Sequence, residues 1–155
     1  MTTIIDVTVS GGNVTVIDTG TFSLEQGKFY EMFGELRASA TCNCNLWING
    51  NTTTSNYEAA NFGSVAPNEN LSSAATLQVT GADEITHFSG SLQKTGNKLN
   101  LTVERYDRLD SNNSFIRWSS VFDINDVIEA TSIEITSNVA NTLKAGSFIK
   151  IVEVI

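Results

Sequence analysis

Two cysteines stand one residue apart in the stretch ATCNCNLWINGN, residues 40–51, beside Trp47. A Cys-x-Cys pair is the residue type and spacing of soft-metal or thiol–disulfide chemistry. Residues i and i+2 of a strand share a face, so Cys42 and Cys44 fall in register with Leu46 and Ile48, while Asn43, Asn45 and Trp47 take the opposite face. A disulfide wants Cβ atoms about 3.8 Å apart, closer than neighbours of equal parity on an extended strand. A zinc centre wants about four ligands, and the one histidine, His87, is the only further soft ligand in the chain. The spacing therefore reads as two buried structural thiols behaving as small hydrophobes, with no metal and no cofactor.

Other chemistry-bearing residues read the same way. His87 lies in Thr86-His87-Phe88-Ser89, an alternating strand pattern, and no Gly-x-Ser-x-Gly elbow accompanies it. Acidic pairs occur at Asp83/Glu84, Asp107/Asp110 and Asp123/Asp126. Paired carboxylates can cleave glycosidic bonds at the right separation, and none of these fits a calcium-binding EF-hand loop. The polar tip from Tyr106 to Asn113 has the groups to hold a calcium ion or a sugar, and equally those of an ordinary solvated turn. Trp118 shares parity with Ile116 and Phe122 and reads as core. Trp47, Tyr57, Tyr106 and Arg108 are the candidates for contact with a protein partner or a glycan. No catalytic centre is expected.

The elements that must position these residues are strands. Ile5, Val7 and Val9 alternate, and Val14 and Val16 follow the turn signal Ser10-Gly11-Gly12-Asn13, so residues 1–20 read as an N-terminal hairpin, a candidate partner-contact extension. In KFYEMFGELRASA, Tyr30, Met32, Leu36 and Ala38 share one face and Phe29, Glu31, Phe33, Glu35 and Arg37 the other, which is mixed; a helix is open here, but Gly34 favours a strand. Residues 52–73 read as a long polar loop with a short strand near Tyr57, a second contact candidate. Strands resume at Ala75–Val79, Ile85–Leu92, Leu99–Val103, Phe115–Phe122, Ser132–Thr136 and Phe148–Val154, and residues 123–129 carry the spacing of a short helix. About eight to ten short strands in one domain, 1–155, predict an all-β, jelly-roll-like antiparallel sandwich.

Charge narrows the partners. With 9 basic and 17 acidic residues the formal net charge is −8, which disfavours phosphate backbones and anionic membrane surfaces. No apolar run approaches the ~18 residues of a membrane span, and MTTIIDVTVSGG, without a basic segment and a long apolar run, is not expected to act as a secretory leader.

From Arg117 the chain reads RWSSVFDINDVIEATSIEITSNVANTLKAGSFIKIVEVI. A tryptophan-led strand, Ser-Ile-Glu-Ile, a polar turn, then Leu-x-Ala-Gly-Ser-x-Ile and an aliphatic strand: this resembles the C-terminal half of small jelly-roll proteins on the virions of tailed bacteriophages. WINGNTTTSNYEA resembles their upstream strand, Asn-Gly turn and tyrosine segment. The resemblance spans the chain from about Lys28. It departs at the extra apolar stretch Val121–Ile128 and at the ending Glu153-Val154-Ile155, where an aromatic-glycine ending is more usual. Gly146 permits the tight entry into the last strand. The resemblance implies a non-enzymatic structural virion protein. The leading expectation is a capsid decoration protein that binds the major capsid protein or another virion protein, and itself as a homo-oligomer such as a trimer. The alternative is a tail or fibre adhesin for a host-surface glycan. Either implies synthesis in the bacterial cytoplasm and residence at the virion surface.

Overall fold

The computed structural model describes residues 1–53, 57–63, 75–79, 81–82, 84–108, 113–123 and 130–154. Among them are strands and no helix. In chain order they are β1 (Thr2–Thr8), β2 (Val16–Asp18), β3 (Phe22–Ser23), β4 (Phe29–Arg37), β5 (Cys42–Ile48), β6 (Tyr57–Gly63) and β7 (Ala75–Val79). Then come β8 (Ile85–Thr95), β9 (Lys98–Arg108), β10 (Asn113–Asp123), β11 (Ala130–Thr131), β12 (Ile133–Ser137) and β13 (Phe148–Val154). Of the helix expected at 123–129, Asp123 is instead the last residue of β10, and residues 124–129 and the hairpin tip at 109–112 lie outside the described residues.

The protein is an all-β antiparallel sandwich. One sheet has the order β1-β13-β4-β8-β9-β10-β6 and the other β2-β12-β5-β7, with a small β11-β3 pair besides. Read across both sheets, the first four strands of the large sheet run in step with the small one: β1 with β2, β13 with β12, β4 with β5, β8 with β7. Chain-adjacent strands thus occupy matching positions in opposite sheets, which is the connectivity of a jelly roll. Strands β9, β10 and β6 extend the large sheet beyond β8. There are more strands than the alternation suggested, because pieces as short as β3 and β11 hold too few residues to show a period.

The N-terminal hairpin is not formed. β1 pairs with β13 and β2 with β12, so residues 9–15 cross from one sheet to the other. Gly11 does adopt a positive φ of 86°, but the turn serves a corner of the roll. The backbone on either side is taken by the C-terminal segment: Val14 exchanges both backbone hydrogen bonds with Leu143, and the Val9 carbonyl accepts from Gly146. The chemistry that reverses a strand in its own sheet also suits a change of sheet, and the pairing offered by β12 and β13 decides between them.

β4 shows why the mixed run is a strand. Tyr30, Met32 and Leu36 are buried on its inner face. Gly34 shares that parity and is paired with Phe88 of β8. A Cβ there would collide with the Phe88 ring and the Phe148 carbonyl oxygen, so the glycine makes room for an aromatic ring lying over it. From the facing sheet, Cys42, Cys44, Leu46 and Ile48 of β5 and Ile133 and Ile135 of β12 fill the same core.

The corner before β13 is tied to the end of β4 and to the segment leaving β1, its two neighbours in the large sheet. Gly146 has φ of 90°. Fully buried Ser147 accepts the Arg37 amide proton at 3.0 Å and donates its hydroxyl to the Arg37 carbonyl at 3.1 Å. Its own carbonyl accepts the Val9 amide at 2.8 Å. Each buried backbone group at this junction therefore has a partner.

Candidate functional site

Both thiols are free and buried on the inner face of β5. Their sulfurs lie 3.8 Å apart, a non-bonded contact well beyond the ~2.05 Å of a disulfide. Burial pushes the Cys44 thiol well above its ordinary pKa, and the adjacent Cys42 adds to the shift. A thiol held protonated is a poor nucleophile and a poor ligand, so Cys44 contributes packing, and Cys42 is buried in the same core. Among the described residues, no three His, Cys, Asp or Glu side chains gather as a metal site would require.

His87 is exposed on the outer face of the large sheet. Its Nδ1 lies 3.6 Å from Glu35 Oε2 on β4. The other Glu35 oxygen accepts from Arg37 Nε at 2.6 Å and lies 2.5 Å from Arg37 Nη2. This is a surface charge cluster across two strands.

A concave feature of that face, among the described residues, lies one step further along β8. A groove of about 380 Å³ is lined by Glu31, Phe33, Ser89, Ser91, Thr102 and Glu104, with Met32 and Gly90 contributing at its base. The strand register makes its plan explicit. Phe33 pairs with Ser89 and Ser89 with Glu104; Glu31 pairs with Ser91 and Ser91 with Thr102. Two rows of three residues cross β4, β8 and β9, with small serines in the middle and longer side chains on the flanks. Outward residues of equal parity stand side by side on a sheet, so short residues on β8 leave a channel. Gly90 keeps β8 close to β9: a Cβ there would run into the Thr102 carbonyl. The channel follows the line where the eight-strand roll meets its three added strands.

The lining offers hydroxyls, carboxylate acceptors and one aromatic face. Phe33 is 37% exposed, and Phe29, four residues away on the same face, is 57% exposed. Next to this row, Phe29 pairs with Gln93, and Gln93 with Asn100. The equipment is that of recognition: flat apolar surface beside groups that direct hydrogen bonds.

No family model, curated protein or solved structure matches this chain.

The contact candidates named from the sequence do not form one constellation. Trp47 lies on β5 in the small sheet, opposite Glu134, and is half-buried against the core. Tyr106 and Arg108 lie on β9 and Tyr57 on β6, in the large sheet; Tyr106 pairs with His87 and with Phe115, and Tyr57 with Phe122. Their side chains, and that of Trp118, lie outside the described residues, as do Asp83, Asp110 and Asp126 of the acidic pairs. The groove residues were not singled out from sequence. The signal for them was the mixed face of β4, where phenylalanine and glutamate alternate at Phe29, Glu31, Phe33 and Glu35. Two exposed phenylalanines on one row mark that face as a candidate contact surface.

Proposed function

We propose that this chain is a non-enzymatic structural protein of a tailed-phage particle, a decoration protein that binds and stabilises the outer capsid shell. One observation carries the reading. The segment whose sequence resembles virion jelly rolls, β12 through Gly146-Ser147 into β13, occupies an inner position in each sheet, beside β2 and β5 in one and beside β1 and β4 in the other. The resemblance therefore rests on the part of the chain that organises the roll. Its mechanism is burial of surface across boundaries between shell subunits, which links neighbours and resists internal pressure. Among the described residues, β1 and β6 end the large sheet and β2 and β7 the small one. Such edges can pair with a strand of the major capsid protein or of a second copy. At β1 a register shift between Thr3 and Ile5 limits that pairing to part of the edge.

The test is localisation in purified particles. Cryo-electron microscopy should show copies on the shell in a fixed ratio to the major capsid protein, grouped as a homo-oligomer. Copies confined to the tail would replace this reading with a tail or fibre adhesin, and absence from the particle would end both.

A further inference from the structure

We infer that the groove along β8 is a binding site for an extended, neutral oligosaccharide. The inference rests on the face of the large sheet alone and does not depend on where in a particle the protein sits.

Sugars present two chemistries at once: C–H faces that pack on aromatic rings, and hydroxyls that both donate and accept. The groove answers each. Phe33 forms one wall and Ser89 and Ser91 the floor, with Glu31 and Glu104 as acceptors at opposite corners. Phe29 continues the apolar row beyond the groove. Four residues of strand separate the two rings by about 13 Å along β4, so each would meet a different residue of a linear chain lying along β4. The open form suits a ligand passing through more than a monosaccharide held by itself. Charge selects among sugars. Glu31 and Glu104 in the groove, with Glu35 nearby on β4, repel carboxylated or sulfated glycans, and the formal net charge of −8 repels them at longer range. Neutral hydroxyls, by contrast, gain strong hydrogen bonds from ionised acceptors.

The experiment is titration of the full chain with linear hexasaccharides of glucose, mannose, galactose and N-acetylglucosamine, with heparin and polysialic acid as anionic probes. At least one neutral hexasaccharide should bind at a concentration below about 10 mM. Phe33→Ala should weaken it by about tenfold or more, and Ser91→Trp, which fills the floor, should abolish it. Val139→Ser, in the exposed turn after β12 and away from the groove, should leave it unchanged. Thermal unfolding of each variant checks the fold; should Ser91→Trp not fold, Phe33→Ala decides. The inference is overturned by absence of binding across the neutral panel, by stronger binding of the anionic probes, or by affinity that survives Phe33→Ala. It is equally overturned if Phe33→Ala dissolves a dimer without touching sugar affinity, or if reducing ends are released and Glu31→Gln stops their release.

Discussion

The two faces of β4 are built from one alternating run and obey different rules. Inward, Tyr30, Met32, Gly34 and Leu36 sit in a filled core where each position is fixed by its neighbours. Outward, Phe29, Glu31, Phe33, Glu35 and Arg37 share a surface where charge and aromatic rings alternate. The inner face is what closed packing demands. The outer face is less constrained, and it leaves two phenylalanines exposed on one row. The contrast separates residues kept for the fold from residues available for binding, and it can be broken by measuring how unequally the two faces respond to substitution.

The largest effect belongs to the inner face. Leu36 is fully buried, and Leu36→Ala should cost about 2–5 kcal/mol in urea unfolding, the transfer term plus a cavity. A loss under about 1 kcal/mol would mean that the core collapses around the gap and that the inner face is less constrained than its burial says.

Next comes the glycine opposite Phe88. Gly34→Ala adds a single carbon where a ring and a backbone oxygen already stand, and should cost about 1–3 kcal/mol by overpacking. Combining it with Phe88→Leu should recover only part of the loss, because the Phe148 carbonyl cannot move aside as a side chain can. Full recovery would assign the whole constraint to the ring.

The facing sheet extends the comparison to pH. Burial raises the Cys44 pKa in the folded protein, while an unfolded thiol titrates near ~8.5. The folded chain therefore keeps a proton that the unfolded chain gives up. This contribution is complete below about pH 8.5 and declines as pH rises towards the folded value, by up to about 1.4 kcal/mol per unit. Urea midpoints from pH 8 to pH 10 should fall more steeply for the native sequence than for Cys44→Ala. Equal slopes would show that the thiol ionises in place and that β5 is wetter than its burial implies.

The same division explains what could be read in advance. The inner faces were legible because burial imposes a two-residue period: Cys42, Cys44, Leu46 and Ile48 announce β5, and Tyr30, Met32 and Leu36 announce β4. The course of the chain between sheets was less so. Gly11-Gly12 reports that the backbone turns, and the same glycines serve a hairpin or a corner, so the partner of β1 had to come from β13, more than a hundred residues away. The groove was least legible. Its floor is Ser89 and Ser91, residues indistinguishable in sequence from any solvent face, and it exists only through register that sets them between Phe33, Glu31, Thr102 and Glu104. Cross-strand neighbours from three strands carry no common local pattern. The one local sign was phenylalanine at the wrong parity.

The smallest expected effect tests whether the outer face holds the fold at all. Glu35 pairs with Arg37 on its own strand and reaches His87 on β8, a link between strands that has the geometry of a structural contact. Yet the Arg37 and His87 side chains are 45% and 63% exposed, so water and salt compete for every contact. Glu35→Gln keeps an acceptor for Arg37 and removes only the charge. The loss should stay below about 1 kcal/mol and should shrink further in about 1 M salt, where the screening length falls to about 3 Å. A loss above about 2 kcal/mol, insensitive to salt, would mean that this cluster is desolvated and holds the strands in place. The outer face would then be part of the scaffold, and the freedom to bind would be confined to the phenylalanines and the groove between them.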